Sequence, residues 1–255
     1  MLGPETAHSP NADDITAAYW VMLGLAAVLV LAINAALVFM LVRFRAARGT
    51  EPRRFRGRPR TQMRIAGVLG LGAIALFVLG VVSTERAKDV EASGPAGLTD
   101  ASPLQIRAIG QQWIWRFEYP DSDSGAASAV PATGSFADVF SYEELVVPVD
   151  TTIDLAVEST DVVHRWWVPS LGGKVDAEPG KVHHTWFKAD EEGVYDGQSA
   201  GFSGASYAVM RAKVRVVGPE EYQAWVTQQG ADIKAAQASV QAQIAAPGET
   251  VGETK

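Results

Sequence analysis

The chain has 255 residues, a net charge of −7 and no cysteine. That length accommodates a membrane anchor and one domain of about 100–150 residues. The missing cysteines exclude disulfides and every thiolate metal site in one step.

Residues 1–16 form an outer leader. It is acidic (Glu5, Asp13, Asp14) and lacks the basic start of a cleavable signal peptide. Ala17–Val42 and Ile65–Val82 are almost wholly apolar. About 20 helical residues span a bilayer core, so the first run is ample and the second just sufficient to cross it. Asn34 interrupts the first run, and its amide is expected to face a partner helix rather than lipid. The stretch 43–64 between the runs carries Arg43, Arg45, Arg48, Arg53, Arg54, Arg56, Arg58, Arg60 and Arg64 against the single acid Glu51. Charge alone would permit a nucleic-acid partner. Between two spans, the cluster reads instead as a cytoplasmic loop touching anionic lipid, with no nucleic acid involved. Residues 17–84 are therefore a helical hairpin with both termini outside.

Residues 85–103 are polar and rich in Gly, Ala and Asp, and read as a linker. From Leu104, short β-prone runs alternate with turns: Leu104–Ile109, Trp113–Tyr119, Glu144–Val149, Thr152–Val157, Trp166–Val168, Lys181–Lys188, Gly193–Tyr195 and Val209–Val217. Such a series predicts a β-sandwich or barrel over 104–218. Pro120–Ala137 is poor in large apolar residues and reads as an exposed excursion. In 219–255, Pro219, Glu220 and Glu221 open a helix, with proline early and acids in the first turn. Ala231–Ala246 extends it, and Pro247–Lys255 is expected to fray.

Four ordered segments carry a resemblance. The first is Gln112-Trp113-Ile114-Trp115 with Phe117-Glu118-Tyr119, and the second Asp161-Val162-Val163-His164-Arg165-Trp166. Val168–Gly172 and Asp176–Gly180 follow, and then Thr185–Phe187 and Glu192–Tyr195 lead into Gly197–Met210. Together with the hairpin they resemble haem-copper oxidase subunit II, the cytochrome c oxidase subunit II family. The resemblance implies an all-β cupredoxin-like Greek-key domain on a two-helix membrane anchor, packed against a catalytic subunit I. In that family the last loop carries two cysteines, a glutamate, a histidine and a methionine. With one upstream histidine they hold a dinuclear copper centre.

Here those positions are Ser199, Ser203, Gly201, Tyr207, Met210 and His164. A dinuclear centre needs two bridging thiolates, soft ligands that share charge between the ions, and a neutral hydroxyl cannot replace them. No metal or other cofactor is therefore expected in this chain. Met210 is expected to fill the core and His164 to be a hydrogen-bonded residue of a retained fold. A mononuclear copper site from His164, Met210 and His183 or His184 is the less favoured alternative. His183 and His184 are adjacent on a predicted strand and point to opposite faces. Ser199, Ser203 and Tyr207 read as a hydroxyl-rich loop closed by its own hydrogen bonds rather than as a nucleophile site. Gly201 also lacks the carboxylate that in the family touches an interfacial magnesium ion.

Trp113 and Trp115, two apart on a strand, are expected to share a face. One of the adjacent pair Trp166 and Trp167 should point outward. All four are candidate partner contacts. Gln62–Gly67 lacks the glutamate that most relatives place at a proton-channel mouth before the second span.

The expected function is that of subunit II of a quinol-oxidising respiratory haem-copper oxidase in a bacterial-type inner membrane. Serine, alanine, aromatic, serine and glycine in the loop resemble quinol-oxidising relatives. Haem and copper would lie in the partner subunit, and quinol would act on the complex as a whole. A haem-copper nitric oxide reductase subunit and a membrane-tethered binding module are the competing readings.

Overall fold

A computed structural model of the protein describes residues 3–44, 57–88, 103–120 and 139–245. These residues divide into two compact units. One is the helical hairpin, Asp13–Asp89, and the other joins Met1–Ala12 to Val90–Lys255.

In the hairpin, α1 (Pro10–Arg43) and α2 (Pro59–Lys88) are long enough and apolar enough to cross a membrane. Helix α1 has 34 residues, about 51 Å at 1.5 Å per residue. Both present apolar side chains on all sides, from Leu31 and Phe39 on α1 to Val68 and Phe77 on α2. A helix that is apolar all round and not buried within its own chain suits a membrane span. Both helices overrun the expected spans. Pro10 occupies the first helical position, where its missing N–H costs nothing. Arg60 and Arg64 lie within α2 rather than in a loop. Residues 45–56 of that loop and 89–102 of the linker lie outside the described residues. The Asn34 amide donates to the Val30 carbonyl one turn back, at 2.8 Å.

The β unit has ten strands among the described residues. They are β1 (Leu104–Gln111), β2 (Ile114–Glu118), β3 (Phe140–Tyr142), β4 (Glu144–Pro148), β5 (Thr152–Ser159), β6 (His164–Trp166), β7 (Val175–Ala177), β8 (His183–Lys188), β9 (Gly193–Gln198) and β10 (Arg211–Val217). One sheet runs β3-β2-β1-β5-β8, a second β4-β10-β9, and β6-β7 forms a ribbon. Strands β1 and β5 pair in parallel, as do β4 and β10, and the other pairs are antiparallel. The two larger sheets enclose a core of Trp115, Phe117, Leu145, Val147, Leu155, Trp166, Phe187 and Val214. This is the two-sheet, cupredoxin-like architecture expected. Strands β3 and β7, three residues each, carry too short a pattern to stand out. Residues 121–138, which hold nearly all of the expected excursion, lie outside the described residues.

Helix α3 (Pro219–Ala245) is continuous, and it lays Tyr222, Val226 and Ile233 against the sandwich. Spacings of four and seven put those three on one stripe. The Trp225 ring meets Tyr119 edge-on at 5.0 Å, and the Gln229 amide donates to the Phe140 carbonyl at 2.9 Å. The tail after Ala245 lies outside the described residues.

Candidate functional site: the Gly197–Met210 loop

Three connections converge at one end of the sandwich: the β1–β2 turn, the β5–β6 turn and the loop from β9 to β10. The loop is fixed by main-chain hydrogen bonds on both flanks. Gln198 N–H donates to the Trp167 carbonyl at 3.0 Å and Ala200 N–H to the Arg165 carbonyl at 2.8 Å. Ser199 N–H donates to the Met210 carbonyl at 2.9 Å, closing the loop on itself. The Ser203 carbonyl takes two donors from the β1–β2 turn, Gln112 Nε2 and Trp113 Nε1, both at 3.0 Å. A 3-10 turn, Tyr207–Val209, completes the return to β10. Gly204, at φ +114°, sits with its Cα against the Trp113 ring, in the left-handed region that favours glycine.

His164 opens β6 and is fully buried. Its Nε2 lies 2.8 Å from Asp161 Oδ1, and its ring meets Trp115 edge-on at 6.1 Å. Gly110 makes this approach possible, since a Cβ there would lie 3.0 Å from the His164 ring and 3.1 Å from Trp115. Asp161 also accepts from Val162 N–H and Gln112 N–H, each at 2.6 Å. Burial pushes the Asp161 carboxyl up. The hydrogen bonds from His164, Val162 and Gln112 outweigh it and hold the group below the usual carboxylate range. An ionised Asp161 accepts only, so the proton of the shared bond sits on His164 Nε2. His164 Nδ1 is buried and has no hydrogen-bond partner among the described residues. A ring nitrogen oriented this way by a carboxylate on the opposite nitrogen is how proteins prepare a metal-binding histidine.

The remaining positions do not complete such a site. Ser199 and Ser203 are buried hydroxyls, and Ser203 Oγ has no partner among the described residues. Gly201 offers no side chain and its Cα packs beside Arg165. Tyr207 is half-exposed, with its ring edge-on to Phe202 at 5.3 Å. Met210 is buried in the core. A buried imidazole, a thioether and two hydroxyls therefore stand where a dinuclear copper centre requires bridging thiolates, and the donor set does not fit that group. His183 and His184 do not add to it. His183 lies 3.7 Å from Glu178, and His184 pairs with Asp154 at 3.0 Å. Among the described residues no three His, Cys, Asp or Glu side chains cluster as a metal site.

Two of the tryptophan expectations are corrected. Trp113 does not share a strand face with Trp115. It belongs to the β1–β2 turn, where its indole binds Ser203, and β2 starts one residue later. Trp115 and Trp166 are buried at 0% and 2% exposure and offer a partner no surface. Trp113 and Trp167 remain as candidate contacts, and Trp167 carries the Lys174 ammonium 4.3 Å over its ring. Phe202, the aromatic of the loop pattern, and Val209 are 79% and 69% exposed on the 199–210 loop, and sequence reasoning did not name either as a contact.

Residues 104–217 match the family profile described as cytochrome c oxidase subunit II, periplasmic domain. Cytochrome c oxidase subunit 2 of Cereibacter sphaeroides is 29% identical over 252 residues, spanning 88% of this chain and 80% of that one. The probable cytochrome c oxidase subunit 2 of Rickettsia bellii is 28% identical over 234 residues, spanning 89% and 83%. Among solved structures, the periplasmic domain of subunit II of cytochrome oxidase from Bradyrhizobium japonicum is 34% identical. It covers 51% of this chain and 95% of its own, with a TM-score of 0.42.

Proposed function

Because the chain belongs to the cytochrome c oxidase subunit II family, we propose that it serves as subunit II of a respiratory haem-copper oxidase fed by quinol, with a copper-free β domain. The observation that carries this is the loop itself, which keeps a closed backbone while serines replace both thiolates. Without a dinuclear copper centre the domain has no acceptor for electrons from a soluble cytochrome. Quinol in the membrane is then the donor, and it passes electrons to haem in subunit I. The chain's own contribution is structural. The hairpin anchors the complex, and the domain caps the catalytic subunit, with Trp113 and Trp167 as contacts.

Two membrane-spanning helices and a periplasmic domain of this family fit an inner-membrane protein. The packing of Glu5–Ala12 on the β domain supports the further reading that both termini lie outside. The family match does not favour the nitric oxide reductase or free-standing module readings.

The test is to purify the complex through a tag on this chain. Oxygen uptake should be driven by a quinol and not by reduced cytochrome c, and the separated subunit should hold no copper. Two copper ions in this subunit, or cytochrome c-driven turnover without quinol, would overturn the proposal.

A further inference from the structure

We infer that Glu5–Ala12 is an integral strap of the β domain, sealing the open edge of β8, and that it is retained in the mature protein. Strand β8 ends the five-stranded sheet. An end strand leaves main-chain N–H and C=O groups free to pair with other chains unless something covers them. Two such groups here, Lys188 N–H and the Trp186 carbonyl, are taken by the leader. Ser9 Oγ accepts from Lys188 N–H at 3.1 Å and donates to Asn11 Oδ1 at 2.7 Å, and Asn11 Nδ2 donates to the Trp186 carbonyl at 2.5 Å. A hydroxyl that accepts and donates at once, joined to an amide that does the same, closes the edge without an added strand.

The neighbouring main chain locks the strap at both ends. His8 N–H donates to the Ser170 carbonyl at 2.8 Å, and Asp190 N–H to the His8 carbonyl at 3.2 Å. Ser170 Oγ donates to Glu5 at 3.3 Å, and the His8 ring lies 5.2 Å from Tyr195. Ser9, Asn11 and Ala12 are buried. Gly172 leaves room for Asn11, since a Cβ there would lie 2.7 Å from its Nδ2. Buried polar groups this fully satisfied belong to a folded core and not to a disposable leader. Removing the segment would expose β8 and leave the Trp186 carbonyl and Lys188 N–H without these partners.

The full-length protein, purified from its membrane, provides the test. Its intact mass should place the N-terminus at or before Glu5, and any later start overturns the inference. In hydrogen exchange, Ser9→Ala should speed exchange of the β8 segment containing Lys188 by about tenfold, as loss of one protecting hydrogen bond predicts. Ser9→Thr, which restores a hydroxyl, should reverse this. Gly172→Ala, which leaves the strap's own sequence unchanged, should have the same effect by displacing Asn11, the hydrogen-bond acceptor that holds the Ser9 hydroxyl against Lys188 N–H. Unchanged β8 exchange in both Ser9→Ala and Gly172→Ala overturns it, because a serine serving only the start of α1 would leave Lys188 protected.

Discussion

At the level of single residues, the loop separates shape from chemistry. The contacts that hold it, through the N–H groups of Gln198, Ser199 and Ala200 and the Ser203 carbonyl, use the loop's main chain and do not depend on its serine side chains. The carboxylate-oriented imidazole of His164 is also in place. Restoring the missing donors should therefore restore the metal. The combined variant Ser199→Cys, Ser203→Cys, Gly201→Glu and Tyr207→His is expected to take up about two copper ions per chain by metal analysis, with strong visible absorption from thiolate–copper charge transfer. No uptake would mean that the loop has moved away from a ligating geometry. A second prediction concerns Gly110. A methyl group there meets the fully buried His164 and Trp115 rings, and Gly110→Ala should cost about 1–3 kcal/mol by overpacking. Denaturant unfolding followed by tryptophan fluorescence measures it.

At the level of elements, Tyr119 joins parts of the sandwich and α3. It lies just beyond β2, its hydroxyl accepts from Val146 N–H of β4 at 2.8 Å, and its ring packs on Trp225 of α3. Burial pushes the phenols of Tyr119 and Tyr222 far above the ordinary tyrosine range. Both stay neutral in the folded chain when the unfolded chain ionises, so a folded-state pKa raised in this way gives stability that is full below about pH 10 and lost as pH climbs further. Denaturant midpoints between pH 8 and 11 should fall on the alkaline side. Tyr119→Phe combined with Tyr222→Phe should flatten that decline while lowering stability near neutrality, where the Val146 N–H loses its acceptor. An equal alkaline decline in the double variant would assign it to other groups.

Most of these elements were legible in the sequence, and the exceptions have physical causes. Long strands such as β1 and β5 and the proline-opened α3 carry strong local patterns. Strands β3 and β7 owe their existence to cross-strand partners rather than to local preference. The Trp113-Ile114-Trp115 alternation looked like an unbroken strand because a turn made of apolar residues carries no glycine or proline mark. Ser9-Pro10 followed by Asp13 was a readable helix start. The apolar run beginning at Ala17 concealed it. At the site, the residue types alone showed that no thiolate is present. The Asp161–His164 pair and the burial of Trp115 and Trp166 depend on three-dimensional neighbours that no spacing rule supplies.

At the level of the molecule, a chain without cysteine is a ready background for mapping its own orientation. With Arg54→Cys in the arginine-rich stretch, a membrane-impermeant maleimide should label intact bacterial spheroplasts only after the membrane is opened. Lys181→Cys on the β domain should label at once. The reverse pattern would contradict the proposed topology.

The self-closing loop also bears on biogenesis. A copper-bearing domain must receive its ions from outside and keep two thiols reduced until they arrive, so its maturation depends on delivery and redox factors. Here Ser199 closes on Met210 through the backbone, and there is no thiol to protect. A β domain that is copper-free, as proposed, needs no copper delivered to it to reach its final form, and its folding should not depend on added copper.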